Sequence, residues 1–464
     1  MIKNSFGVIL LIIIAINTNI AAQQLLTLEQ CRQLAIENNK ALKIASEQER
    51  VAYYEKKDAL TKYFPEIQFI GGYLRNQKNL HLIPSSAIPH EIPLPIPLPE
   101  IGNSIPIDES IRDGIWKIGE VDIKNIWAGG FNLVQPIFMG GKIVALNDIR
   151  SYAQDLASTM KETQMTDVIV EVDNAYWQVV SVSNKKKLAE SYVQLMQKMD
   201  YDISAMEEEG VATKADRLSV NVKLNEAEMT LTKAENGLSL AKMLLSQLCG
   251  LEISDAITLV DENIQHIPVD RVDNPVVNID EALTNRPEVR SLELATKIYE
   301  KQEKVALGDF MPNVALTANY LWTNPNGFDG FEKKFKGMWS VGVMVKIPLN
   351  FVSNSAKLNV ARTNTNIKRF ELVEAKEKIT LQINQSAYKL TEAQKKYDAA
   401  KKNSEKADEN LRYATVGFEE GVISASDVMA AHTAWVSAHS ELIDSQIDII
   451  LSRIYLNKAL GRRL

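Results

Sequence analysis

One seven-residue turn pattern occurs twice in this chain, as Gly210-Val211-Ala212-Thr213-Lys214-Ala215-Asp216 and as Gly421-Val422-Ile423-Ser424-Ala425-Ser426-Asp427, each time between two long helical patterns. Glycine supplies the permissive backbone that ends one helix. The Ser/Thr-x-x-Asp spacing that follows is an acidic variant of the capping box and opens the next helix. Each stretch therefore reads as the tip of a helical hairpin. The recurrence runs through the whole chain. Asn38, Ala59, Leu60, Pro65, Tyr73 and Leu74 match Asn285, Ala306, Leu307, Pro312, Tyr320 and Leu321 at an offset of 247. Pro136, Leu146, Asn147, Arg150, Ala175 and Tyr176 match Pro348, Leu358, Asn359, Arg362, Ala387 and Tyr388 at 212, and from the tips to Gly250 and Gly461 the offset is 211. One unit is written twice, with 35 additional residues in the first repeat.

With 464 residues, 45% apolar content and a formal charge of -7, the chain is neither disordered nor built to hold nucleic acid. Residues 1–22 have the pattern of a secretory signal peptide: Lys3, an apolar run from Phe6 to Ile16, then Ala21 and Ala22. The protein is therefore expected to be exported. That run of about 11 apolar residues falls short of the roughly 20 that span a bilayer as a helix, and no other stretch comes near that length. Cys31 and Cys249 are far apart in sequence and lie in helical patterns, so no disulfide is expected. Leu28-Glu29-Gln30-Cys31 lies well past the apolar run and lacks a small residue before the cysteine, which argues against lipidation.

The first repeat covers residues 23–250. A Thr27-x-x-Gln30 capping box opens a helix that runs to about Lys62 and stops at Phe64-Pro65. Period-2 alternation then predicts strands at about 66–75 and 127–135, the second ending at Pro136. Between them, residues 76–125 hold prolines at 84, 89, 93, 95, 97, 99 and 106, which predicts an extended loop and neither helix nor central strand. After Gly140-Gly141 no glycine or proline interrupts the helical pattern up to Glu209, a helix of about 100 Å at 1.5 Å per residue. The hairpin tip spans 207–216. Beyond it Leu224, Leu231, Leu238 and Leu245 form a heptad column whose equivalents are Trp435, Leu442, Ile449 and Leu456. A linker over 251–276 leads to the second repeat, 277–461. That repeat has a helix from Asn278 to about Leu307, strands at about 313–322 and 338–347, a tip at 418–427 and a last helix to Leu460.

Strands of about ten residues match the length that crosses a bilayer as tilted β-structure. Aromatic residues sit near both ends, Phe310 and Phe351 at one, Trp322 and Trp339 at the other. Four strands cannot close a barrel, and an open edge in lipid leaves backbone groups without partners, so other copies of the chain must complete the sheet.

The order of parts, the paired Gly-x-x-[Ser/Thr]-x-x-Asp tips, the Pro65 and Pro312 junctions and the closing Gly250 and Gly461 together resemble the outer membrane efflux protein family, the TolC-like channels. That resemblance implies an α+β membrane protein built from a duplicated helix-strand-strand-helix-helix unit. Long helices would form a coiled-coil α-helical tube in the periplasm, and four strands per chain would join a 12-stranded outer-membrane β-barrel shared by a homotrimer. It also implies a periplasmic adaptor protein that joins the tube to an inner-membrane pump. Carried onto this sequence, Glu209, Gly210, Val211, Glu420, Gly421 and Val422 are candidates for adaptor docking. Asp216 and Asp427 would lie near the periplasmic aperture, with capping of a helix N-terminus as their other role. Ala430 stands where some members carry a further acidic residue. Asn313, Thr317, Asn319, Ser340, Gly342 and Lys346 are expected to face the barrel lumen, and the alternate set to face lipid.

Catalysis and metal binding find no support in the pattern. His432 and His439 are seven apart beside the heptad seam without a third ligand, no phosphate-binding loop occurs, and no cofactor is expected. The expected function is a passive exit duct. The alternative is an exported, water-soluble coiled-coil scaffold or adhesin whose short strands only cap the helices.

Overall fold

The computed structural model describes residues 25–98, 102–264, 267 and 277–462. The leader expected over 1–22 and part of the linker expected over 251–276 lie outside these residues. In chain order, β1 (Leu25–Leu26), α1 (Leu28–Asn38) and α2 (Lys40–Thr61) precede β2 (Glu66–Arg75). The excursion that follows contains β3 (Leu80–His81), β4 (Glu91–Leu98), β5 (Gly102–Pro106), α3 (Glu109–Ile118) and β6 (Glu120–Val121). Next come β7 (Asn125–Met139), α4 (Lys142–Glu208), α5 (Lys214–Leu248) and β8 (Thr258–Leu259). The second half holds α6 (Ile279–Asn285), α7 (Pro287–Gly308), β9 (Asn313–Asn324), β10 (Lys336–Lys346), α8 (Phe351–Glu419) and α9 (Ala425–Ala459). These residues form two compact units, one from 51–155 with 294–370, the other from the residues up to 50, 156–293 and 371 onward.

Several boundaries differ from the sequence expectation. The first helix is broken at Asn39, whose backbone is extended (ψ 131°). Its side chain accepts from Ala41 N–H and donates to the Leu248 carbonyl at 2.8 Å, so it opens α2 and ties it to α5 at once. The helix expected from Asn278 is likewise broken at Arg286, the residue before Pro287, where ring sterics disfavour helical backbone. β7 does not stop at Pro136 but runs to Met139. Its pairing with β2 ends at Val134, so the proline, which has no N–H to donate, sits where that side of the strand is already open. Residues 76–98 and 102–125 hold more regular structure than their prolines imply. All seven prolines fall at or before 106, and α3 begins after them, capped by Asp108, whose carboxylate accepts from Ser110 N–H at 2.8 Å.

The first unit is organised around one antiparallel sheet in the order β10-β9-β7-β2. Its register aligns whole rows of side chains. Phe69, Phe131, Tyr320 and Trp339 lie directly opposite one another across all four strands, and so do Gln68, Asn132, Asn319 and Ser340 in the adjacent row. Successive residues point to opposite faces, so the sheet has one aromatic and aliphatic face and one largely small and polar face. On the apolar face Phe69, Phe131 and Trp322 cluster with centroids 5.4 to 5.9 Å apart, and Tyr73 meets Trp127 at 4.6 Å. A Cβ at Gly129 would lie 3.0 Å from the Trp322 indole, which explains a glycine within that face. Every residue of the two edge strands β2 and β10 is exposed in the single chain.

In the second unit α4 supplies the core. Val168, Val172, Tyr176, Val179 and Val180 pack with Leu245 of α5, Cys31 and Ala35 of α1, Leu259 of β8 and Ile447 and Ile454 of α9. Another cluster joins Ile383 and Leu390 of α8 to Ile449 and Leu456 of α9 and to Ala282. Of the heptad column, Leu245, Ile449 and Leu456 are buried, while Leu224, Leu231 and Leu238 are partly covered. Gly250 takes φ +70° where α5 ends, and a Cβ there would meet Asn38 at 2.5 Å. Gly461 takes φ +66° after α9 and packs on Asn285 in the same way. Arg32 closes a bidentate pair with Asp173 (Nε to Oδ1 2.7 Å, Nη2 to Oδ2 2.6 Å), whose side chain is fully buried.

Candidate functional site at the hairpin tips and the sheet

Each tip is built by the same local chemistry. In the first, Gly210 adopts φ +75°, its N–H bonds the Glu207 carbonyl (3.0 Å), and Val211 N–H reaches back to Met206 O (2.8 Å). In the second, Gly421 adopts φ +75°, bonds Phe418 O (3.0 Å), and Val422 N–H reaches Gly417 O (2.8 Å). This is the Schellman closure, which satisfies the last carbonyls of α4 and α8 and requires a left-handed residue. Thr213 then caps α5 and Ser424 caps α9, each accepting from the N–H of the aspartate three residues on.

Asp216 returns the bond, accepting from Thr213 N–H at 2.9 Å and from its hydroxyl at 2.6 Å. The hydroxyl first and the backbone second hold this carboxyl below the ordinary carboxylate range. Asp427 accepts from the Ser424 hydroxyl at 2.7 Å. Both aspartates are therefore fixed at the first turn of a helix, the capping role read from the spacing. Glu207 is turned onto α5 by Arg217 at 3.2 Å and Glu419 meets Lys198 at 3.3 Å, while Glu208, Glu209 and Glu420 are exposed. Val211 and Val422 are 78% and 79% exposed, unusual for aliphatic residues, and no heavy atom lies within 4 Å of a Cβ placed on Gly210 or Gly421. The tips thus end in a small apolar surface flanked by free carboxylates.

Behind the tips one apolar cluster joins both hairpins: Met196, Met199 and Ile203 of α4, Val220 of α5, Phe418 of α8 and Val428 and Met429 of α9. His432 is inserted in this cluster, 4% exposed, stacked on Tyr192 at 4.9 Å, with no partner for Nδ1. His439 goes elsewhere, to Asp408 at 2.9 Å, which also accepts from the Trp435 indole at 2.6 Å. Burial pushes the His432 imidazole down from 6.5 to about 4. A base with a depressed folded pKa leaves the unfolded chain binding more protons between the two values, so stability is full above pH 6.5 and declines as pH falls toward 4. Thermal unfolding across that window should show this decline, and His432→Gln should flatten it. An unchanged slope would remove the titration from His432.

In the sheet, the six residues expected to face a lumen do share one face. Asn319 is opposite Ser340, Thr317 opposite Gly342 and Asn313 opposite Lys346. The register adds Gln68 and Asn132 to that face, and the Asn132 amide donates to Asn319 Oδ1. Alternation in the first repeat contained this signal, because Asn132 lies between Phe131 and Leu133 and Gln68 between Ile67 and Phe69. The weakness of the pattern there, with glycines at 71, 72, 129 and 130, hid it.

Residues 278–462 match the model of the outer membrane efflux protein family. That match spans the second repeat, short of half of the chain. No curated protein matches the chain. Among solved structures, the Campylobacter jejuni CmeC outer membrane channel is 15% identical with a TM-score of 0.73, covering 94% of this chain and 85% of that one. The open state of the Neisseria gonorrhoeae MtrE outer membrane channel is 17% identical with a TM-score of 0.70, covering 94% and 89%. The Vibrio cholerae outer membrane protein VceC is 14% identical with a TM-score of 0.70, covering 94% and 96%. At these identities the likeness is one of fold, and it extends over nearly the whole chain. The residues that match the family model contain α6, α7, β9, β10, α8, the Gly421 tip and α9.

Proposed function

We propose that this protein is the outer-membrane exit duct of a tripartite efflux or secretion system, conducting substrate passively from a periplasmic adaptor and an inner-membrane pump to the outside. The observation that carries this reading is the sheet: four long strands with one aromatic and apolar face, one small and polar face, and two unpaired edges, in a chain whose second repeat matches the efflux-protein family model. Unpaired edges cannot stand in hydrocarbon, where each free N–H and C=O costs several kcal/mol. Three copies placing β10 of one beside β2 of the next would close twelve strands into a barrel, apolar face to lipid and polar face to a lumen. A water-soluble scaffold would leave the aromatic face without a role, and the family match gives that reading no support.

Electron microscopy of the detergent-extracted protein tests the duct. Three-fold symmetric particles with a central lumen are expected, and a water-soluble monomer would overturn the reading.

Within it, Glu209, Gly210, Val211, Glu420, Gly421 and Val422 form the adaptor-docking surface, supported by the two exposed valines and the free carboxylates beside them. Asp216 and Asp427 line the periplasmic aperture while capping their helices. The paired change Asp216→Ala with Asp427→Ala should lower cation preference in planar-bilayer recordings. It should also loosen both helix starts, by removing the carboxylates that accept from Thr213 and from the Ser424 hydroxyl. Unaltered conductance and selectivity would confine both residues to capping.

A further inference from the structure

Cys31 and Cys249 are the only cysteines of the chain, separated by 218 residues, yet the fold brings them together. The Cys249 sulfur lies 3.5 Å from the Cys31 carbonyl oxygen, and the two free thiols belong to residues 0% and 1% exposed. Non-covalent ties bracket them on both sides. β1 pairs with β8 just before Cys31, and after it Asn39 donates to Leu248 O while Asn38 packs on Gly250. The second repeat makes the same helix-end contact without sulfur. At the equivalent positions it has Asn278 and Leu460, and Leu460 packs in a cluster with Ala282. Filling this space therefore does not require a cysteine pair.

We propose that Cys31 and Cys249 form a disulfide in the exported protein, a covalent staple fastening α1 to the C-terminal end of α5. The proposal rests on the export that the duct reading requires. The electron acceptor is a thiol–disulfide oxidoreductase of the exporting compartment in its disulfide form. One cysteine, as thiolate, attacks a sulfur of that disulfide, forming a mixed disulfide and releasing one oxidoreductase thiolate. The other cysteine then attacks the chain's own sulfur in the mixed bond, closing the staple and displacing the second oxidoreductase thiolate. The chain loses two protons and two electrons, and these reduce the partner's disulfide to its dithiol. Because both sulfurs are buried in the fold, exchange precedes the docking of α1, and the finished bond is shielded from reductants.

The test uses the full-length protein, with cells lysed in excess N-ethylmaleimide, membranes extracted, and the chain denatured and analysed by intact and peptide mass spectrometry. The expected result is a processed, membrane-bound chain two hydrogens lighter than the dithiol. It should carry no maleimide until reduced, and the Cys31 and Cys249 peptides should be joined. Cys31→Ser and Cys31→Ser/Cys249→Ser should unfold at the same temperature, both below the wild type. Processed membrane-bound chain with both thiols trapped, or a bond to another chain, would overturn the staple and leave the duct standing. Unprocessed chain found only in the soluble fraction would overturn both.

Discussion

Replacing Val343 by arginine should deplete the protein from the outer-membrane fraction, whereas replacing its neighbour Gly342 by serine should leave its level unchanged. Val343 lies on β10 opposite Leu316, on the face shared with Val341, Val345 and the aromatic row, and is 67% exposed in the single chain. If that face meets lipid, an arginine near the bilayer midplane costs about 2–4 kcal/mol per chain. Three chains in one barrel would each bear it. Gly342 is opposite Thr317 on the polar face, and a Cβ there would sit 3.7 Å from the Thr317 hydroxyl, an ordinary contact. A serine adds one hydroxyl to a surface that already holds Asn319 and Ser340. Membrane fractionation with immunoblotting distinguishes the two. Equal amounts of both variants would reverse or remove the assignment of faces, and with it the barrel.

The second large effect is expected at Arg32→Met. Asp173 is fully buried, and the bidentate guanidinium is its compensating charge. Removing one member of a buried pair strands the other, a loss of roughly 3–5 kcal/mol. Burial already holds the Asp173 carboxyl above its ordinary value of 3.8 with Arg32 present. Without it the acid can be tolerated only in its protonated form. A carboxyl with a raised folded pKa loses stability as pH rises from its unfolded value through the folded one, so the Arg32→Met defect should deepen as pH rises above 3.8. Arg32→Met combined with Asp173→Leu should recover most of the stability, since an apolar pair of similar volume needs no compensation. Thermal unfolding in detergent reads both effects. A defect independent of pH, or no recovery in the double variant, would assign the loss to packing.

The parts of this protein legible in its sequence are those encoded by neighbouring residues. A glycine followed by Thr213-x-x-Asp216 or Ser424-x-x-Asp427 contains the whole chemistry of its turn, because each bond that closes the turn joins residues a few positions apart. Strict alternation in β9 and β10 gave the two faces of those strands, because side chains on a pleated backbone have no other choice. Averaging hid α3, since the seven prolines that mark residues 76–125 as a loop all precede it.

What tertiary structure alone decided involves residues hundreds of positions apart. The break at Asn39 depends on a carbonyl 209 residues away, and Arg32 finds Asp173 141 residues on. Cys31 and Cys249 read as unrelated until α1 docks against the end of α5. Strand register, which sets Gln68, Asn132, Asn319 and Ser340 in one row, is likewise fixed by pairing rather than by any strand's own sequence. Local backbone preferences are complete within a turn or a strand, whereas desolvated pairs and cross-strand rows exist only once burial has chosen which distant residues meet.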